Sequence, residues 1–284
     1  MIDTHCHHTH DRFRADRDAV LERARTAGVT AAIEVGWDLA SSRAALALAR
    51  QHPGTLYPAV GIHPHYAAAA PADTIAKLRA LAAEASLAPG ASGAPGAPLV
   101  AIGETGLDFY RNLSPRERQE EIFRAHIRLA RELGLPLVVH SREATARTLE
   151  ILAAETAGGA ANGAGGVLHC FSGNRAEAQE AVERGFLLGF GGTLTYGDQE
   201  LAAVARETPA TALLLETDAP YLAPSPRRRE RNEPAWMATV REHLAEIRQV
   251  SPEEIDRATT ENARRLFRLP GPAAEPPPAA GEVR

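Results

Sequence analysis

The 284-residue chain is 44% hydrophobic and 24% charged, ordinary globular usage that permits a sizeable core and excludes a chain disordered throughout. Its formal net charge of −5 excludes a protein that coats duplex DNA through a global positive field, so any nucleic acid contact must be local. Met1 and Ile2 run straight into the polar Asp3-Thr4-His5-Cys6-His7, and no apolar run approaches membrane-spanning length. Neither a signal peptide nor a membrane segment is expected, and the cytoplasm is the default location.

Short β-like apolar runs alternate with longer helical ones along the chain. The candidate strands are Ile2 to His5, Ala31 to Val35, Leu56 to Gly61, Leu99 to Gly103, Leu135 to His140, Val167 to Cys170, Phe186 to Phe190 and Leu213 to Glu216. Helical periodicity marks Asp16 to Ala27, Ser41 to Arg50, Pro115 to Leu133, Glu143 to Glu155, Ala176 to Arg184 and Glu200 to Glu207. Ser114-Pro115 reads as an N-cap followed by Pro at the first helical position, and Gly28, Gly134 and Gly185 as helix stops. Eight strands alternating with helices predict parallel βα units, and hence an α/β chain folded as a single (β/α)8 barrel of the TIM type over residues 1–269. The Gly/Pro/Ala-rich stretches 88–98 and 158–166 read as flexible connections. Residues 270–284, rich in Pro and Ala and without periodicity, read as a disordered tail.

Two cysteines, Cys6 and Cys170, are too few for a disulfide framework, and both are expected as buried thiols. Period-two alternation turns Cys6 away from the face that His5 and His7 share. That pair, at the end of the first strand, has the spacing a shared cation requires, although such pairs also occur in surface loops. What gives it weight is recurrence. Glu104 follows strand four, His140 closes strand five, His169 ends strand six and Asp218 follows strand eight. A barrel gathers the C-terminal ends of all its strands around one mouth, which is where its active site sits. Core packing of His140 and His169, and helix capping by Glu104 and Asp218, would explain each residue singly but not their convergence. Mixed imidazole and carboxylate donors suit zinc, manganese or iron, and this set is large enough for a pair of ions.

Asp3-Thr4-His5-Cys6-His7, Gly61-Ile62-His63-Pro64-His65, Gly103-Glu104-Thr105-Gly106-Leu107-Asp108, His140-Ser141-Arg142, His169-Cys170-Phe171-Ser172-Gly173, Glu216-Thr217-Asp218-Ala219-Pro220-Tyr221 and Arg231-Asn232-Glu233-Pro234 together resemble the motif series of the TatD family of metal-dependent deoxyribonucleases, within the amidohydrolase superfamily. Asn262 to Phe267 resembles the family's closing helix. The resemblance implies that His5, His7, Glu104 and Asp218 hold one divalent cation and that Glu104, His140 and His169 hold a second, with zinc, manganese, magnesium and iron all open as identities. Glu104 would bridge the two, and Asp218 would position a metal-bound hydroxide and shuttle its proton. His63 or His65 would contact the scissile phosphate, and Arg231 the substrate. The implied activity is exonucleolytic trimming of single-stranded DNA or RNA ends. Two other readings stay open: a metal-dependent ester or amide hydrolase, such as a D-aminoacyl-tRNA deacylase, and a metal-stabilised binding protein without catalysis.

The chain departs from the family pattern at His8-Thr9-His10, where His8 and His10 are expected to face solvent, with extra metal ligands and an altered substrate entrance as the alternatives. Asn232 also reads as an N-cap for a helix through Ala235 to Arg248. Arg227, Arg228, Arg229 and Arg231 could form a local cationic lip. The sole lysine, Lys77, lies in a helical stretch whose buried stripe is Ile75, Leu78 and Leu81, so a carbamylated lysine is not expected at the metals.

Overall fold

Eight parallel strands pair in sequence order: β1 (Ile2–Cys6), β2 (Ala31–Val35), β3 (Leu56–Val60), β4 (Ala101–Asp108), β5 (Leu137–Arg142), β6 (Gly166–His169), β7 (Phe186–Phe190) and β8 (Leu213–Leu215). The computed structural model describes residues 1–87, 97–156 and 165–271. Past the end of β8 the chain returns to β1. His7 N donates to Ala219 O, and Asp218 N to His5 O, both at 2.9 Å, which brings the sheet round to a nearly closed (β/α)8 barrel. Around it run α1 (Arg17–Thr26), α2 (Leu39–Gln51), α3 (Thr74–Leu87), α4 (Arg116–Leu133), α5 (Thr145–Thr156), α6 (Arg175–Glu183), α7 (Gln199–Glu207), α8 (Met237–Arg248) and α9 (Pro252–Phe267).

Alternation along the strands divides the core into layers. Ile33, Val35, Ala59, Ala101, Val138, Val167, Leu187 and Leu214 pack together inside the barrel. Val60, Ile102, Val139, Leu168 and Leu188 face the helices. Ala263 and Phe267 of α9, with Leu269 beyond it, join the inner cluster. The closing helix therefore packs onto the barrel interior, and the site lies at the other end, where the strands finish.

Gly28, Gly134 and Gly185 take φ of 87°, 65° and 83°, the left-handed conformation that ends α1, α4 and α6. The expected cap at Ser114 differs. Pro115 is the N-cap of α4, because the Ser114 hydroxyl is engaged elsewhere, donating to His65 O and accepting from Ala68 N, both at 3.0 Å. Lys77 lies on α3, paired with Asp73 at 2.8 Å, while Leu78 and Leu81 of the same helix are buried. Most of the two Gly/Pro-rich connections and of the tail fall outside the described residues. Among the described residues no helix is long and apolar enough to cross a membrane.

Candidate metal centre

β1 delivers His5 and His7 to the mouth, and two buried anchors fix the pair. Asp3 accepts from Thr217 N at 3.0 Å and from the Thr217 hydroxyl at 2.6 Å, stapling β1 to the segment after β8. On the other flank His7 Nδ1 lies 2.7 Å from the Val35 carbonyl at the end of β2. A carbonyl only accepts, so Nδ1 carries the proton and the Nε2 lone pair points into the cleft. There His7 Nε2 stands 3.1 Å from His5 Nε2.

Glu104 lies inside β4 rather than after it. Ile102 and Leu107 both face the helix layer, so strict alternation from Ile102 would also turn Glu104 outward. A register shift against β5 between Ile102 and Thr105 re-aims it, the usual effect of a bulge. The glycines on either side are required by close backbone approach. A Cβ on Gly103 would lie 2.4 Å from Val138 O, and one on Gly106 would lie 2.0 Å from His140 O. Both have φ well into the positive region, 150° and 131°, which L side chains rarely adopt.

From that position Glu104 meets five imidazoles. Oε2 is 3.4 Å from His5 Nε2 and 3.8 Å from His7 Nε2. Oε1 is 3.1 Å from His140 Nδ1, 3.4 Å from His63 Nε2 and 3.7 Å from His169 Nε2. Asp218 Oδ1 closes the first group, 3.5 Å from His7 Nε2 and 3.8 Å from His5 Nε2. Asp218 itself has φ of 56°, a strained conformation for a non-glycine residue of the kind found at functional sites.

His140 and His169 repeat the arrangement of His7. The outer nitrogen of His140 stands 3.2 Å from Asp108 Oδ2, and that of His169 stands 3.0 Å from Glu216 Oε1. Carboxylate oxygens accept, so each inner nitrogen is left with its lone pair facing Glu104. Lone pairs of three histidines and two carboxylates that converge with no proton between them would repel one another. A cation is what such a set is built to receive. The local electrostatics favour an ionised carboxylate: burial would raise the Glu104 carboxyl, but the surrounding imidazoles, His63 and His5 first, hold it well below the ordinary carboxylate range. At Asp218 burial acts in the same direction, and the imidazoles of His7, His169 and His5 outweigh it.

His63 is arranged the other way round. Its Nδ1 accepts from His65 N at 3.1 Å, capping the 3-10 turn Pro64–Ala69. In the neutral ring Nε2 therefore carries the proton, which faces Glu104. Although His63, Glu104 and His140 lie close enough to share an ion, this tautomer makes His63 a donor rather than a ligand. His65 binds Asp108 Oδ2 through Nε2 at 2.8 Å, and Arg231 reaches both oxygens of Asp16 at 2.7 Å. Arg227 pairs with Glu230 at 3.3 Å, Arg228 covers the Tyr196 ring at 3.8 Å and Arg229 is exposed.

The solvent-facing assignment of His8 is overturned. His8 is buried, and Glu34, also buried, takes its backbone N–H at 3.0 Å and its Nδ1 at 2.8 Å. The other Glu34 oxygen accepts from Thr9 N and the Thr9 hydroxyl, both at 2.9 Å. Cys6 packs in the same layer, its thiol donating to Ile33 O at 3.4 Å. His10 is half-buried, and its ring nitrogen lies 3.0 Å from the Tyr221 hydroxyl. Cys170, expected buried, is half-buried on the turn after β6. Glu34 thus locks the backbone that follows His7. Glu34→Ala should leave its buried donors unpaired and lower the unfolding free energy by about 1–3 kcal/mol, the usual penalty for orphaning such groups. Urea denaturation checks this, and an unchanged midpoint would refute the lock.

Sequence reasoning gave no role to Glu216, Asp108, Asp3 or Glu34. Glu216 and Asp108 lie inside motifs already noted, and the one available signal was an acidic residue near the end of an apolar strand.

The sequence model of the family described as TatD related DNase matches residues 2–268. A 3′-5′ ssDNA/RNA exonuclease TatD from Cronobacter sakazakii is 40% identical over 274 residues, covering 94% of this chain and 97% of its own. The metal-dependent hydrolase YabD of Bacillus subtilis is 36% identical over 270 residues, covering 95% and 99%. Among solved structures, the TatD homologue YjjV of Escherichia coli superposes with a TM-score of 0.84 at 31% identity, over 95% of this chain and 98% of that one. With its barrel, its convergent histidines and carboxylates and these relatives, the chain belongs to the TatD-related DNase family of metal-dependent hydrolases.

Proposed function

We propose that the protein is a two-metal exonuclease that removes nucleotides from the 3′ end of single-stranded DNA or RNA. The observation that carries the metal part is the convergence of inner nitrogens from His7, His140 and His169 on Glu104, each with a carbonyl or carboxylate oxygen against its outer nitrogen. In this reading His5, His7, Asp218 and Glu104 Oε2 would hold one cation, and His140, His169 and Glu104 Oε1 the other. Bound there, two divalent ions would lower the pKa of a water between them and offset charge on the phosphoryl oxygens. The chain's own groups do the rest. Asp218, ionised and at the edge of the first set, accepts the attacking water's proton and passes it toward the leaving oxygen. His63, with Nε2–H facing the cleft, donates to a non-bridging phosphate oxygen. Arg231 stays on Asp16 and holds the segment after β8 in place.

Polarity and substrate follow the name of the 40%-identical relative. A 5′-labelled single strand incubated with protein and manganese or magnesium should give a ladder shortening one nucleotide at a time. No ladder, together with turnover of a small carboxylic ester or an aminoacyl-tRNA, would replace this reading with the ester or amide hydrolase. A smaller test concerns the exposed arginines. Replacing Arg227, Arg228 and Arg229 by Ala should flatten the salt dependence of oligonucleotide binding by roughly 0.7 in log–log slope for each phosphate no longer neutralised. An unaltered slope would show that they are only solvated surface.

A further inference from the structure

Six large apolar side chains are exposed among the described residues, and five of them, Tyr66, Tyr110, Leu113, Tyr221 and Leu222, lie in segments that follow β3, β4 and β8. Only Val250 lies elsewhere. Exposed rings are thus concentrated around the mouth, where the metal centre opens.

Two rings stand directly against that centre. Trp37, after β2, packs edge-on against His7 with centroids 5.2 Å apart, and Tyr221, after β8, does so at 6.3 Å. His10 connects them, 5.7 Å from Trp37 and 5.5 Å from Tyr221. The wall runs from the half-buried Trp37 to Tyr221, which is 44% exposed and so offers its ring to a ligand. The Tyr221 hydroxyl and His10 Nε2 already engage each other at 3.0 Å. What remains is flat and indifferent to hydrogen-bonding pattern. Positive charge accompanies the rings. Arg12 is held beside Tyr221 through Pro220 O at 2.9 Å, and Arg142 lies over Tyr110 at 4.0 Å.

A ligand matching this surface carries a flat unsaturated ring within one nucleotide's reach of a phosphodiester, and further phosphates that meet the arginines. Resting on the nuclease reading above, we propose that Trp37, His10 and Tyr221 form a stacking seat for the terminal, unpaired nucleobase of the strand being cut. The seat feels the presence of a base and not its identity, as stacking platforms do. It also demands a frayed or single-stranded end, because a paired terminal base has no free face to offer until it leaves its partner.

The test uses full-length, metal-loaded protein and a short single strand with a 5′ anisotropy label, a 3′-terminal 2-aminopurine and a phosphorothioate at the last linkage to slow cleavage. Binding should quench the terminal 2-aminopurine several-fold. Tyr221→Ala should lose most of that quenching and weaken binding on the order of tenfold, whereas Tyr221→Phe should keep both. An abasic 3′ terminus should weaken the parent by a similar factor and Tyr221→Ala hardly at all. The abasic comparison in the parent needs no variant, and Trp37→Ala provides a second one should Tyr221→Ala not fold. Anisotropy that reports binding while the terminal 2-aminopurine stays bright would overturn the seat alone. No binding of any oligonucleotide would overturn the nuclease reading as well.

Discussion

Glu104→Ala is expected to leave the purified, dialysed protein with almost no divalent metal, against about two ions per chain in the parent if the centre is binuclear. The reason is positional. One carboxylate lies within 3.8 Å of His5 and His7 through Oε2, and within 3.7 Å of His63, His140 and His169 through Oε1. Removing it takes a ligand from both groups and the negative charge that offsets both cations. His140→Ala, which touches only the Oε1 side, should lose about one ion. Elemental analysis of the three proteins decides the matter. Full occupancy in Glu104→Ala would show that the two groups do not share this carboxylate.

Asp218→Asn is expected to lower kcat by at least ~10² at saturating metal, the lower range for losing acid–base assistance, while KM moves little. The substitution keeps the shape, so the left-handed backbone at 218 and its bond to His5 O should persist. What disappears is the charge and the proton acceptor. An unchanged kcat, with metal content verified, would assign Asp218 to holding metal only and leave the proton to another group.

Much of this arrangement could be read from residue order. Valine and leucine runs ending in His140 and His169 placed those residues at strand ends, the pair His5 and His7 closed a short first strand, and barrel topology placed strand ends together. The readings that changed depend on partners remote in sequence. Gly103 and Gly106 look like a strand terminator, yet they let β4 continue to Asp108 because Val138 O and His140 O crowd that backbone. His8 continues a polar run and reads as surface until Glu34, 26 residues on, is found beneath it. Glu216 and Asp108 could be noticed within their motifs, but orienting an imidazole is a relation with His169 or His140, and no local pattern carries it.

The staple between Asp3 and Thr217 joins residues 214 apart in the chain. In the set proposed for the first ion, half of the ligands come from the first strand of the barrel and another from just beyond the last one. On the ribosome His5 and His7 must therefore wait, unable to complete the site, until the segment carrying Asp218 has emerged and docked. Such long-range closure belongs to slow folding topologies. Its counterpart is that an unfinished polypeptide cannot assemble the proposed metal centre, so hydrolytic activity has to wait until the ring has shut.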